Sequence, residues 1–167
     1  MQKEWPLLLL GWYDENKRQL PWREQTDAYR TWVSEVMLQQ TRVEAVKDYY
    51  RRFLERFPAI ENLAAATEEE VLQQWQGLGY YSRARNLWQG AKETVAQYGG
   101  EVPKDEKSLR ALPGVGEYTA GAILSIAYQQ AVPAVDGNVL RVFSRLYGLQ
   151  EEVQTTAAKK MVAKLVS

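Results

Sequence analysis

Apolar residues recur at helical spacing along almost the whole chain. After Asp27, a residue type suited to capping a helix start, Tyr29, Trp32, Val33, Val36 and Met37 fall on one helical face. The stretch VEAVKDYYRRFLERF (43–57) continues the pattern and must stop before Pro58, whose ring disfavours helical backbone in the residue ahead of it. Thr67 and Glu70 have capping-box spacing and open a short helix through Trp75. GLGYY (77–81) reads as a turn, after which Ser82 can cap a helix over SRARNLWQGAKETVAQYG that ends at Gly99 and Gly100. A short helix DEKSLRAL (105–112) leads into the turn LPGVG, and a helix over GEYTAGAILSIAYQQ (116–130) leads out of it. AVPAV (131–135) is a short extended connector, Asp136 precedes the helical pattern NVLRVFSRLYG, and a last helix begins near Thr155 or Thr156. No alternating strand pattern of any length occurs, so the predicted fold class is all-α, with many helices of modest length joined by short turns.

A length of 167 residues suits one helical domain or two small lobes sharing a cleft, and 46% hydrophobic with 25% charged residues marks an ordinary soluble globular protein. No apolar run approaches a membrane span. The first residues lack a secretory cleavage pattern, which makes a cytoplasmic location the default. Two absences narrow the chemistry. Without cysteine there are no disulfides, thiolate nucleophiles or cysteine-held metals. Without histidine the usual general base and the commonest zinc ligand are missing, so catalysis must run on carboxylates, Lys, Tyr, Ser/Thr or backbone dipoles. A formal net charge of zero counts against a nucleic-acid partner. Local basic clusters nonetheless exist at Arg51, Arg52 and Arg56, at Arg83 and Arg85, at Arg141 and Arg145, and at Lys159, Lys160 and Lys164. At the other end Ala158, Met161, Val162, Leu165 and Val166 form an apolar stripe that needs a partner, so the chain is expected to be a fragment that exposes this face or pairs it with a second copy.

The turn LPGVG has two readings. Gly114 and Gly116 remove Cβ atoms and let another backbone approach, while the following helix presents unpaired N–H groups and the positive end of its dipole: an anion site that needs no basic side chain. The plainer reading is a glycine joint between packed helices. Two carboxylates are equally open. Glu35, mid-helix beside Trp32, is either a solvated glutamate or a half-sunk acid whose protonated form is favoured. Asp136 reads as a helix cap in an Asp-Gly turn, and neither acid is singled out by pattern alone.

The segments LPWR, SEVMLQQT, GLGYYSRARNL, LPGVGEYTAGAIL and VDGNVLRV occur in this order from about Leu20 to Tyr147. Together they resemble the adenine-specific mismatch glycosylases (MutY-type) of the helix-hairpin-helix DNA glycosylase superfamily. The resemblance implies an N-terminal helix over 1–20 belonging to a second lobe, a helical domain over 21–130 carrying the helix-hairpin-helix (105–128), and the start of the second lobe over 131–167. It implies hydrolytic removal of adenine mispaired with 8-oxoguanine or guanine from double-stranded DNA. Glu35 would act as general acid and Asp136 as stabiliser of the sugar cation, by charge or through a covalent adduct, with Tyr118 and Asn138 positioning the acids and the water.

By the same resemblance Arg18, Trp22, Arg23 and Leu38 line an adenine pocket. Gln40 and Tyr80 wedge into the duplex with Leu78 and Thr41 beside the opposing purine, and Gly114, Val115, Gly116 and Thr119 grip the strand. Trp22, Leu38 and Tyr80 read equally as core residues, and Arg83, Arg85, Arg51 and Arg52 read as phosphate contacts or as a solvated face. Backbone carbonyls of Leu112 and Val115 would hold a monovalent cation, with no metal held by side chains. Relatives that also cut the strand carry a lysine where Tyr118 stands, so no Schiff-base lyase step is expected. Full-length members bind a 4Fe–4S cluster through four cysteines, and this chain has none of them; they are expected to be monomers. The alternatives are a non-catalytic helix-hairpin-helix DNA-binding module, an endonuclease III-like glycosylase and a helical interaction scaffold.

Overall fold

A computed structural model describes residues 5–149 and 155–166, and no strand occurs among them. The centre is α3 (Ala28–Leu38). Its predicted apolar face is fully inside, and Thr31 and Ser34 are buried as well, so the helix is enclosed on nearly every side. Asp27 caps it, accepting from Arg30 N at 2.8 Å. Around it pack α2 (Pro21–Glu24), α4 (Val43–Arg56) and α7 (Ser82–Tyr98). α4 offers Val46, Tyr50 and Phe53 at helical spacing and stops before Pro58, as its sequence predicts. Phe53 meets Phe57 and Trp75 edge-on, with centroids 5.0 and 5.9 Å apart. Each such ring contributes about 1.5–3 kcal/mol through burial, so this aromatic corner anchors the domain.

α5 (Ile60–Ala65) is a short helix with no strong signal in the sequence; Asn62 Oδ1 accepts from Ala59 N at 3.1 Å and closes its first turn. α6 (Glu68–Trp75) opens on the expected capping box between Thr67 and Glu70. The N–H and hydroxyl of Thr67 hold the Glu70 carboxyl below the usual carboxylate range. Ser82 does not cap α7. Tyr81 already has helical backbone angles, so the turn runs into the helix with no extended residue from which a serine could reach back. At the other end Gly99 takes the left-handed conformation, with φ of 63°.

α8 (Glu106–Ala111), capped by Asp105, and α9 (Glu117–Ala122) flank the LPGVG turn. α9 does not continue regularly to 130. It widens into a π-helical turn over Ile123–Ala127, which puts both Ile123 and Leu124 into the core and turns Ile126 outward. The connector 131–135 follows, and then α10 (Gly137–Tyr147) and α11 (Thr156–Val166) pack together. Ala158 and Val162 are covered there, while Met161, Leu165 and Val166 stay exposed, as do Val142 and Leu146 of α10. α1 (Trp5–Asn16) buries none of its residues and shows Leu7 to Leu10 and Trp12 to solvent, with Trp5 set edge-on to Phe143 of α10 at 5.8 Å.

Candidate active site

A cleft of about 790 Å³ opens beneath the end of α1, beside α2 and along one face of α3. That volume lies in the range of small-molecule sites. Thr31, Glu35 and Leu38 share the face, because positions four and three apart stack along a helix. Arg18, Trp22 and Arg23 complete the walls, so the four residues expected of an adenine pocket line one space together with Glu35. Trp22 serves both readings: it is buried, edge-on to Tyr50 at 5.6 Å, and still walls the cleft. Arg23 donates to the Arg18 carbonyl at 3.1 Å and stacks over Tyr13 at 5.4 Å, which closes the outer rim. Tyr13, Lys17 and Ile126 also line it, and nothing in their local sequence singles them out.

Glu35 is half-buried on the cleft wall. Burial pushes its carboxyl above the usual range, the nearby charge of Asp136 pushes the same way, and a hydrogen bond from the Tyr118 hydroxyl pulls against both. Tyr118 is itself raised, first by burial and then by Glu35 and Asp136. Three elements therefore deliver three groups to one place: Glu35 from α3, Tyr118 from the start of α9 and Asp136 from the cap of α10. Asp136 Oδ1 accepts from Val139 N at 2.8 Å, and Oδ2 accepts from Asn138 Nδ2 at 2.9 Å. Asn138 in turn accepts from Arg141 at 3.2 Å. The result is an acid disposed to hold a proton, within electrostatic reach of an acid whose oxygens already act as acceptors.

What brings Asp136 there is Gly121. A Cβ on this buried helical residue would lie 2.4 Å from the Pro133 carbonyl oxygen, so only glycine lets the connector cross α9 so closely. Replacing a helical glycine with alanine gains about 0.5–1 kcal/mol on propensity alone. Overpacking against backbone costs about 1–3 kcal/mol, and here it wins. Gly121→Ala should therefore lower the melting temperature. It should also impair whatever chemistry Asp136 supports more than it impairs binding at the turn, which rate and affinity measured side by side would check.

The turn itself is open. Gly114 is exposed at φ of 74°, and a Cβ there would sit 2.8 Å from that of Asn86. Gly116, also exposed, caps α9 with no side-chain hydrogen bond, which leaves the first N–H groups of the helix unpaired by side chains. Glu117 in the first turn favours the helix but opposes an anion, so the backbone donors act alone. The Val115 side chain packs inward, and Val115 N donates to the Leu112 carbonyl at 3.2 Å. Thr119 does not face outward as expected. It is buried against α3, where its hydroxyl accepts from Gln39 Nε2 at 3.5 Å.

Gln40 and Tyr80 are exposed at the tips of neighbouring turns, Thr41 is half-buried, and Leu78 belongs to the core. Arg83 is neither a phosphate contact nor part of a solvated face. It is buried between these turns, because it lies in phase with Leu87, Ala91 and Thr94 on the inner side of α7. Burial lowers its pKa, and no acid pairs with it among the described ion pairs. Arg85 pairs with Glu68 at 2.6 Å, Arg51 pairs with Asp48 at 3.5 Å, and Arg52 stacks on Tyr49 at 4.6 Å. No cluster of side chains fit to hold a metal occurs among the described residues. With no cysteine anywhere in the chain, these residues do not fit an iron–sulfur cluster.

A family model described as HhH-GPD superfamily base excision DNA repair protein matches residues 33–167. The chain is 54% identical over 147 residues to the adenine DNA glycosylase of Rattus norvegicus, covering 83% of this chain and 28% of that protein. It is 47% identical over 163 residues to the adenine DNA glycosylase of Homo sapiens, covering 92% and 30%. Its fold is similar to a solved structure of a thermostable thymine-DNA glycosylase, with a TM-score of 0.85 and 27% identity over 99% of this chain and 78% of the other. The chain thus spans less than a third of the length of these curated relatives.

Proposed function

Since the chain belongs to the HhH-GPD superfamily of base excision DNA repair proteins, we propose that it carries the reacting groups of a monofunctional adenine DNA glycosylase. Its substrate is adenine paired with 8-oxoguanine or guanine in double-stranded DNA. The observation that carries this reading is Glu35 on the wall of a cleft roomy enough for a base, hydrogen-bonded to Tyr118 and within electrostatic reach of Asp136. The two adenine DNA glycosylases similar to this chain favour adenine as the base.

The glycosidic bond inside a duplex is out of reach, so the nucleotide must leave the stack. Gln40 and Tyr80 enter the gap, with Leu78 and Thr41 beside the opposing purine, and the amides at the exposed Gly114 and Gly116 hold a phosphate. The base enters between Arg18, Trp22, Arg23 and Leu38. Glu35, still protonated, gives its proton to a ring nitrogen of adenine. The C1′–N9 bond then breaks, with its electron pair leaving on the base and positive charge appearing on the sugar. Asp136 stabilises that charge, directly or as a covalent adduct. Water adds at C1′ and its proton returns to Glu35, so the atoms balance without a metal or a redox step. Tyr118 has no amine with which to form a Schiff base, so the strand is left uncut.

We read residues 1–20 and 131–167 as parts of a second lobe, a reading the Trp5–Phe143 contact favours. A monovalent cation at the Leu112 and Val115 carbonyls would stiffen the turn. The test is a glycosylase assay on duplexes holding adenine opposite 8-oxoguanine, with the whole protein. Release of free adenine, with no adduct trapped by borohydride, is the expected result. DNA binding without base release would favour a non-catalytic module, and a trapped adduct would favour an endonuclease III-like lyase.

A further inference from the structure

We propose that Arg83 is a positioning residue that locks the turns carrying Gln40 and Tyr80 into one rigid wedge. Gln40 and Tyr80 are non-glycine residues with left-handed backbone, at φ of 56° and 48°. Such a conformation costs energy for a side-chain-bearing residue and persists only where the surroundings impose it. Both lie on turns whose carbonyls face the same guanidinium. Nη1 donates to the carbonyls of Val36 and Met37 at 2.9 Å and to that of Gln39 at 2.5 Å. Nη2 donates to Thr41 Oγ1 at 3.2 Å, to the Gly79 carbonyl at 3.1 Å and to the Leu78 carbonyl at 3.4 Å. Gln40 is thus bracketed by its two neighbours, and Tyr80 is approached from the two residues before it.

The guanidinium also lies 5.7 Å from the Tyr80 ring centroid and 5.5 Å from that of Trp75, so the charge is held between the wedge and the core. Trp75 Nε1 donates to the Gly79 carbonyl at 3.2 Å and Tyr49 Oη to that of Gln76 at 2.9 Å, which braces the second turn from beneath. The carbonyl ends of α3 offset the positive charge in place of a carboxylate. A planar fork with donors on two sides can span the gap, whereas the compact ammonium of lysine, with equal charge, reaches only one turn.

The link from the wedge to DNA rests on the function proposed above; the tie itself does not. The experiment uses Arg83→Lys and Arg83→Gln in the whole protein, with two readouts. Hydrogen exchange follows the amides of 39–41 and 78–81. A duplex with 2-aminopurine in place of adenine opposite 8-oxoguanine reports unstacking by fluorescence. Both variants should speed exchange in the two turns together, by roughly tenfold or more, while the aromatic corner at Phe53 and Trp75 stays protected. The fluorescence rise should slow by a similar factor, while affinity for an undamaged duplex changes by less than about twofold. If Arg83→Gln does not fold, Arg83→Lys carries the test. Unchanged exchange, exchange altered in one turn alone, or full recovery by lysine overturns the proposal. So does loosening of both turns with normal fluorescence, if Gln40→Ala and Tyr80→Ala abolish that signal. If those two replacements leave the signal intact while Arg83→Lys loosens both turns, the duplex-opening reading fails and the tie stands.

Discussion

Replacing Glu35 with glutamine in the whole protein is expected to lower single-turnover base release by about 10²–10⁴-fold, the usual worth of a positioned general acid. Duplex affinity should stay within a few-fold, since the exposed turn at Gly114 and Gly116 lies outside the change. Loss of binding and release together would remove Glu35 from the chemistry. The same substitution carries a second signature. Burial and Asp136 raise the Glu35 pKa on folding, so the folded state keeps its proton to higher pH than the unfolded chain does. Below the unfolded value, about 4.3, both states are protonated and the two proteins should melt alike. As pH rises through the folded pKa the glutamate protein loses stability that the glutamine protein keeps, so Glu35→Gln should melt higher at neutral pH. Activity of the unaltered protein should fall through the same interval, as the acid ionises. A variant that is more stable and inactive at once is hard to explain if Glu35 is an ordinary surface residue.

Asp136→Asn separates the cap that this side chain forms from the electrostatic role proposed for it. Asparagine caps a helix about as well as aspartate, so α10 should hold and the stability should change by less than about 0.5 kcal/mol. The negative charge opposite the developing sugar cation is lost, and removal of one well-placed electrostatic group in an enclosed site costs about 10²–10³ in rate. Thermal melting alongside single-turnover release distinguishes the outcomes. Should the rate survive, Asp136 is a cap and nothing more.

Much of this was legible because it is local. Asp27, Thr67, Asp105 and Asp136 hydrogen-bond to amides three residues on, so their caps follow from the chain itself. The cleft residues came from the resemblance instead: Arg18, Trp22, Arg23, Glu35 and Leu38 share no periodicity that marks them apart from core or surface. Thr119 and Arg83 were misplaced for one common reason. Which side of an element faces inward is decided by neighbours distant in sequence, here α3 for both. Arg83 had left a signal all the same. It falls in phase with Leu87, Ala91 and Thr94, and unlike Arg51 or Arg110 it has no acid three or four residues away. Gly121, alone inside a helical pattern, likewise marked a close crossing that the sequence could not aim.

That crossing has an implication for how the chain tolerates change. Surface connections usually accept extra or missing residues, because lengthening a loop costs little entropy. The stretch between Ala131 and Val135 has no such slack, being clamped at Pro133 on one side and ended by the Asp136 cap on the other. A single inserted residue would swing the carboxylate off target while leaving every helix intact. A featureless five-residue link thus acts as a measuring rod, and under the function proposed for Asp136 its length matters as much as the acid it carries.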